Sequence, residues 1–144
     1  MPKANSYIYP GTIALMPPAQ IISAVTQAYK VSYADLLINT RKREIVEPRQ
    51  VLMTLLLIIC KEKSEVVGDR FGRDHATALH ARKVVARLYE TNKTFRTKLR
   101  SILHSLKMKL HEQYLFFCEL FRVKDEQMSM KINLILAADK VMGL

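Results

Sequence analysis

The residues best suited to chemistry lie close together between positions 73 and 83. Arg73 and Asp74 stand where a helix begins, and the Asp74 carboxylate is a favourable N-cap because it accepts a backbone N–H from the first turn. The apolar spacing that follows predicts a helix with one buried face. That face holds Ala78, Ala81, Val85 and Leu88. The other side carries imidazole and hydroxyl groups, which is typical of a surface that meets a polar, anionic partner.

The segment just upstream has the composition of a short helix ended by glycine. It runs from Ser64 to Gly72, and its distance from the next helix is that of a helix-turn-helix. In that motif the second helix enters the DNA major groove with its N-terminus first. We therefore expect residues 73–83 to form the reading end of a second, or recognition, helix.

The elements that must position this motif are also predicted to be helical, so the fold class is all-α. Pro18 suits a helix start, and Ser32 can cap a short helix. The composition of residues 39–47 predicts a polar, basic connection. Pro48, at a first-turn position, predicts the start of an apolar helix that ends near Cys60. No strand alternation or internal repeat is present.

The C-terminal part predicts two further helices. Thr91 is a candidate cap for one long helix whose apolar stripe continues from Phe95 to Phe121, and Asp125 is a candidate start for a last helix. We expect three parts in the chain: an irregular arm over 1–16, a helix-turn-helix domain over 17–90 and a helical extension over 91–144. An intramolecular hairpin packed on the core is the favoured interpretation of the extension. The alternative is a surface for a homodimer or a protein partner.

Composition agrees with a nucleic-acid partner. The formal net charge is +10, which attracts polyanions, and 49% hydrophobic residues suffice for a core. No apolar segment reaches the length of a membrane helix, so we expect no membrane partner. Cys60 and Cys118 lie in apolar surroundings without C-x-x-C spacing, which predicts reduced core residues in a cytoplasmic, nucleoid-associated protein.

Several motifs in register carry a resemblance to a known family. Residues 20–88 resemble the C-terminal DNA-binding domain of the bacterial replication initiator DnaA. The motifs occur in the family's order and near its spacing. They are Val31–Leu37, Arg41-Lys42-Arg43, Pro48-Arg49-Gln50, Gly68–Gly72, Arg73–Thr77 and Leu79-His80-Ala81.

The resemblance implies double-stranded DNA binding at short initiator-type boxes. Arg41 matches an arginine that enters the minor groove, where A·T-rich sequence concentrates negative potential. The neighbouring Lys42 and Arg43 complete the basic connection, for which an ordinary solvated loop is the alternative. Arg49 and Gln50 match positions that hold the DNA backbone.

The recognition helix is expected to supply the remaining DNA contacts. Its phosphate ligands would be Arg73, His80 and Lys83. Its base contacts would come from Asp74 to a cytosine amine and from His75 to a base edge or thymine methyl, with Ala76 and Thr77 beside them. Capping is the alternative role of Asp74.

Some positions depart from the family pattern. Gly72 stands alone where two glycines are usual, and Ala76 replaces a common Thr. Glu47 and Glu65 place carboxylates where basic and Pro residues are usual, and both would lie near phosphate and weaken binding. These changes leave use of the standard initiator box undetermined.

Enzymatic chemistry is not expected, and neither is a cofactor. None of the glycines begins a G-x-x-x-x-G-K-[ST] phosphate loop, so the initiator's ATPase motif is absent from this sequence. His75 and His80 are five residues apart, about 140° around a helix, and so do not form a metal pair. We therefore expect a DNA-binding protein that acts without catalysis, in replication initiation or transcription. A helical protein-interaction module is the alternative.

Overall fold

The computed structural model describes residues 13–122. Seven helices and no strands are found in this range, which confirms the all-α prediction. In chain order they are α1 (Pro18–Tyr29), α2 (Tyr33–Leu36), α3 (Arg43–Ile58), α4 (Ser64–Arg70), α5 (His75–Thr91), α6 (Lys93–Ser105) and α7 (Leu110–Phe121). Residues 1–12 of the irregular arm expected over 1–16, and the helix expected from Asp125, fall outside the described residues; residues 13–16 of the arm are not helical.

Local signals account for most helix starts. Pro18 occupies the first turn of α1, where its missing N–H is no loss. Ser32 and Asp35 form a reciprocal capping box at α2, and the Asp74 carboxylate accepts the Thr77 backbone N–H at 3.0 Å at the start of α5. These three predictions from sequence are confirmed.

Helix α3 begins earlier than predicted. It starts at Arg43, so Pro48 lies inside the helix and not at its first turn. Proline cannot donate to the carbonyl of Glu44 four residues earlier, but this loss is limited to one backbone bond. Glu44 in the first turn complements the helix dipole, and Glu47 accepts a 3.0 Å hydrogen bond from the Tyr29 hydroxyl. The segment before Pro48 is thereby stabilised as helix, and the basic connection shortens.

The prediction of a single long helix over 91–121 is also wrong, because this segment contains two helices, α6 and α7. Asn92, not Thr91, caps α6, and its side chain accepts the Phe95 N–H at 3.0 Å. The chain then turns at Lys107, which has the left-handed φ of 58°. Glu112 accepts the Lys109 N–H at 3.0 Å and so begins α7. Leu110, placed on the apolar stripe by its spacing, is 71% exposed as a result.

Helix α5 is the centre of the packing. It contacts α3 and α4 on the helix-turn-helix side and α6 and α7 on the other. Tyr89 in α5 is fully buried, with ring centroids 4.6 Å from Phe117 and 6.2 Å from Phe121. The described part of the extension therefore shares one core with the helix-turn-helix, as the intramolecular interpretation expects.

Candidate nucleic-acid interface

The turn between α4 and α5 fixes the angle of the helix-turn-helix. Gly68 lies against the backbone of the turn, since a Cβ added there would stand 2.5 Å from the Asp74 carbonyl oxygen. Its own carbonyl accepts the Arg73 N–H at 2.9 Å. Gly72 has a φ of 64°, which an L side chain adopts at a cost, and space around it is open. A single glycine therefore suffices for this turn.

The first turns of α5 form an exposed, chemically varied end. His75, Ala76, His80 and Lys83 are all exposed, whereas Ala78 is buried beneath them. Thr77 is half-buried, and its hydroxyl donates to the Asp74 carboxylate at 3.0 Å. The two Thr77 hydrogen bonds hold the pKa of Asp74 below its ordinary value, so this carboxylate is ionised at neutral pH. Asp74 remains exposed while it caps.

The basic residues 41–43 lie where the connection after α2 enters α3. Arg41 and Lys42 lie in the connection before α3, and Arg43 is the first residue of α3. All three are exposed. The Arg43 guanidinium lies 3.6 Å from the Glu47 carboxylate, which also accepts the Tyr29 hydroxyl. The negative charge of Glu47 is thus partly compensated within the protein by the Arg43 cation and by the hydrogen bond from Tyr29.

Arg49 is placed differently from the expectation of a DNA-backbone contact. It is 4% exposed, and its guanidinium donates to backbone carbonyls at the end of α2 and in the connection that follows. Nε donates to Leu36 at 2.8 Å, Nη2 to Ile38 at 2.5 Å and Nη1 to Thr40 at 3.4 Å. Burial, and then the positive charge of Arg73, lower its pKa from the ordinary value. Its three nitrogens therefore bind the protein's own chain.

A shallow cleft separates the basic residues from the second half of α5. It has a volume of about 250 Å³. The half-buried Gln50 lines it together with Arg41, Arg43, Val46, Glu47, Val84 and Leu88. Gln50 thus lies in the same cleft as Arg41 and Arg43, whereas Arg49, with which it was grouped by sequence, does not line it.

One direct contact links the connection to the reading end of α5. The Arg73 guanidinium lies 3.5 Å from the Asn39 side-chain oxygen, so residues 34 positions apart in the chain meet at the interface. Sequence reasoning missed this link and the Arg49 bonds. Three basic side chains farther along the chain donate within the protein instead: Arg82 donates to the Leu120 carbonyl at 2.6 Å, Arg96 to Tyr89 at 3.0 Å and Lys98 to Ala28 at 3.1 Å.

Comparison with known families identifies this arrangement. Residues 18–85 match the family described as bacterial dnaA protein helix-turn-helix. Residues 18–85 form a DnaA-like helix-turn-helix domain. The match spans α1 to most of α5, and it contains the basic residues 41–43, Arg49, Gln50 and residues 73–83. The DnaA helix-turn-helix family is a family of DNA-binding domains and not of enzymes. Helices α6 and α7 lie beyond the matched residues.

Other kinds of site are not found in the part of the chain that the structure describes. No group of three or more His, Cys, Asp or Glu residues in that part could hold a metal ion. Likewise, none of its helices is long and apolar enough to cross a membrane. Burial raises the pKa of the Cys60 thiol to about 11, and its Sγ lies 3.3 Å from the Met16 carbonyl, so this cysteine is a protonated, packed residue.

Proposed function

We propose that this protein binds double-stranded DNA sequence-specifically, with the N-terminal end of α5 in the major groove and the basic connection in the adjacent minor groove. Its role is the regulation of replication initiation or transcription through initiator-type boxes. The family supports DNA binding in replication initiation. Sequence specificity and the minor-groove contact are the parts proposed here.

One observation carries the proposal: the connection that bears Arg41 and Lys42 contacts the start of α5, where the Arg73 guanidinium lies 3.5 Å from the Asn39 side-chain oxygen. His75 and Ala76 stand at the end of α5 that a helix-turn-helix inserts into the major groove. Arg41 and Lys42 extend from the connection that Arg73 contacts through Asn39. A protein face with a reading helix and a basic loop side by side matches two successive grooves of one duplex.

The proposed DNA contacts are of two kinds: phosphate contacts that position the helix and base contacts that read the sequence. Arg73, His80 and Lys83 are proposed phosphate ligands, which fix the register of the helix without reading bases. His75 and the Ala76 methyl are proposed to meet base edges or thymine methyl groups. Asp74 is ionised and can accept from a cytosine amine while it caps the helix.

The acidic departure from the family pattern at Glu47 weakens phosphate binding less than its charge alone suggests. Glu47 is paired with Arg43 and accepts from Tyr29, so much of its field is offset inside the protein. Glu65 is exposed on α4 and has no such offset from the ion pairs found in the described residues. We propose that Glu65 reduces affinity and thereby increases dependence on base contacts.

Selection of bound sequences from a random duplex pool tests this function. We expect enrichment of a short site with an A·T-rich segment at one end, where Arg41 would enter the minor groove. Affinity for the enriched site should fall with salt with a log–log slope of about −3 to −5, corresponding to roughly three to five phosphate contacts. Recovery of no common sequence, with equal affinity for the pool, would contradict sequence-specific binding.

A further inference from the structure

We propose that Arg49 is a positioning residue for DNA recognition: its buried guanidinium holds the 36–40 backbone, and thereby sets the place of Arg41 relative to the start of α5. The inference rests on the proposed function, because it concerns the same interface. It assigns Arg49 a role within the protein, in place of a phosphate contact.

The hydrogen bonds of Arg49 have the form of a clamp. Its three nitrogens each bind a different carbonyl, and the carbonyls belong to alternate residues, Leu36, Ile38 and Thr40. Charge-assisted bonds of this kind are stronger than neutral ones, and the planar guanidinium fixes their directions. The clamp ends at the residue immediately before Arg41. The direction in which the chain passes Arg41 and enters α3 is therefore set by Arg49.

A second contact ties the same loop to the recognition helix. Asn39, between two of the clamped carbonyls, meets the Arg73 guanidinium at 3.5 Å. Arg73 directly precedes Asp74, the cap of α5. The loop is thus held by Arg49 of α3 on one side and by Arg73 at the start of α5 on the other. This arrangement fixes the separation between the two groove-binding parts, as simultaneous contact with adjacent grooves requires.

The burial of Arg49 also argues against direct phosphate binding. The residue is 4% exposed, whereas the side chain of Arg43 nearby is 73% exposed. A phosphate ligand tolerates replacement of Arg by Lys, because a point charge suffices. A clamp does not, because one ammonium group cannot reach three carbonyls spread over five residues. Arg49→Lys therefore separates the two roles, with Arg87→Lys as the control at an exposed arginine outside the proposed DNA contacts.

The test is a double-mutant cycle of Arg49→Lys with Arg41→Ala, measured as affinity of the full chain for a duplex recovered by selection. We expect Arg41→Ala to weaken binding about tenfold and Arg49→Lys to weaken it similarly. The double variant should lose little more, about twofold or less beyond either single variant, because the arm is already misplaced. Arg87→Lys should stay near wild type. Netropsin, which occupies A·T minor grooves, should weaken binding of the wild type and Arg87→Lys but not of Arg49→Lys.

Several results would overturn the inference. These are full affinity of Arg49→Lys, multiplicative losses in the double variant, unchanged netropsin sensitivity of Arg49→Lys, or no effect of Arg41→Ala. Should circular dichroism show that Arg49→Lys is unfolded, the cycle is repeated with Asn39→Ala, which removes the other tie. Coupling to Arg41→Ala is then expected, and independent losses would overturn the inference. Failure of the wild type to prefer the selected duplex over the pool would instead contradict the proposed function.

Discussion

The basic side chains of the described residues fall into two groups with different roles. Arg49, Arg82 and Lys98 donate to backbone carbonyls of the protein and join segments distant in sequence. Arg41, Lys42 and Lys83 are exposed. The net charge of +10 therefore overstates what is available to DNA at the interface. Salt dependence should follow the exposed group alone, since only those cations displace counterions from the duplex.

His75 is the side chain whose removal best tests base reading. His75→Ala should weaken binding to the selected site by about 1–3 kcal/mol and relax base preference, because a groove contact is lost. Binding to random duplexes should change little. His104→Ala is the matched control, since His104 is exposed on α6, which carries none of the proposed DNA contacts. Fluorescence anisotropy on selected and random duplexes measures both, and equal losses of His75→Ala on the two duplexes would contradict a reading role.

A side chain's contact could be predicted from the sequence only where its partner lies a few residues away in the chain. The caps at Ser32 and Asp74 could be read from the sequence, because a capping side chain binds a backbone N–H three residues ahead. The Arg49 clamp could not, since its acceptors lie nine to thirteen residues away on a connection without a regular backbone. The position of Arg49 in the sequence, near exposed basic residues, suggested that it binds phosphate. Its burial becomes visible only from the path of the folded chain.

At the scale of elements, helix identity was more predictable than helix boundaries. The helix-turn-helix follows from the Gly72 and Asp74 signals and the apolar period of α5. The division of the predicted long helix at 106–109 carries no Gly or Pro signal. Lys107 adopts a left-handed conformation there, and buried Leu106 and Met108 on either side anchor the turn. Tertiary packing, which a spacing argument does not contain, decides this boundary.

The close approach of α4 to the turn gives a prediction at this scale. Gly68→Ala should destabilise the fold by about 1–3 kcal/mol or more, because its Cβ would meet backbone oxygens that cannot move independently. It should also weaken DNA binding, since relief of the clash shifts the start of α5. Gly72→Ala is the matched control, with strain from a φ of 64° but no clash.

Urea unfolding and duplex affinity distinguish these two glycine variants. Gly72→Ala is expected to cost about 1–2 kcal/mol in unfolding free energy and to keep more of the DNA affinity of the folded protein. A Gly68→Ala protein with wild-type stability and affinity would show that the contact between α4 and the turn does not set the angle of the reading helix.

At the scale of the whole molecule, the helix-turn-helix and the described extension form one unit. The family match ends at residue 85, but α5 continues to Thr91 and buries Tyr89 against Phe117. The spacing of apolar residues predicted the apolar stripe of the extension. It favoured an intramolecular partner for that stripe but did not identify the surface that covers it. Contacts of α6 and α7 with α5 supply that surface within the described chain.

Phe117 provides the test of this shared core. Phe117→Ala should lower the unfolding free energy by about 3–5 kcal/mol, because a fully packed ring is lost next to Tyr89. Leu110→Ala in the same helix is the matched control and should change stability by less than about 0.5 kcal/mol, since Leu110 is 71% exposed. Chemical unfolding of both variants checks this. Similar stabilities of the two would contradict a core shared by α5 and α7.

The central claim, simultaneous binding of adjacent major and minor grooves, is tested most directly by dimethyl sulfate protection on the selected duplex. The reagent methylates guanine N7 in the major groove and adenine N3 in the minor groove, so one experiment reports both. We predict protection of guanine N7 within the site, lost in His75→Ala, and of adenine N3 in the flanking A·T segment, lost in Arg41→Ala. Methylation unchanged by the protein in both grooves, despite tight binding, would contradict the account.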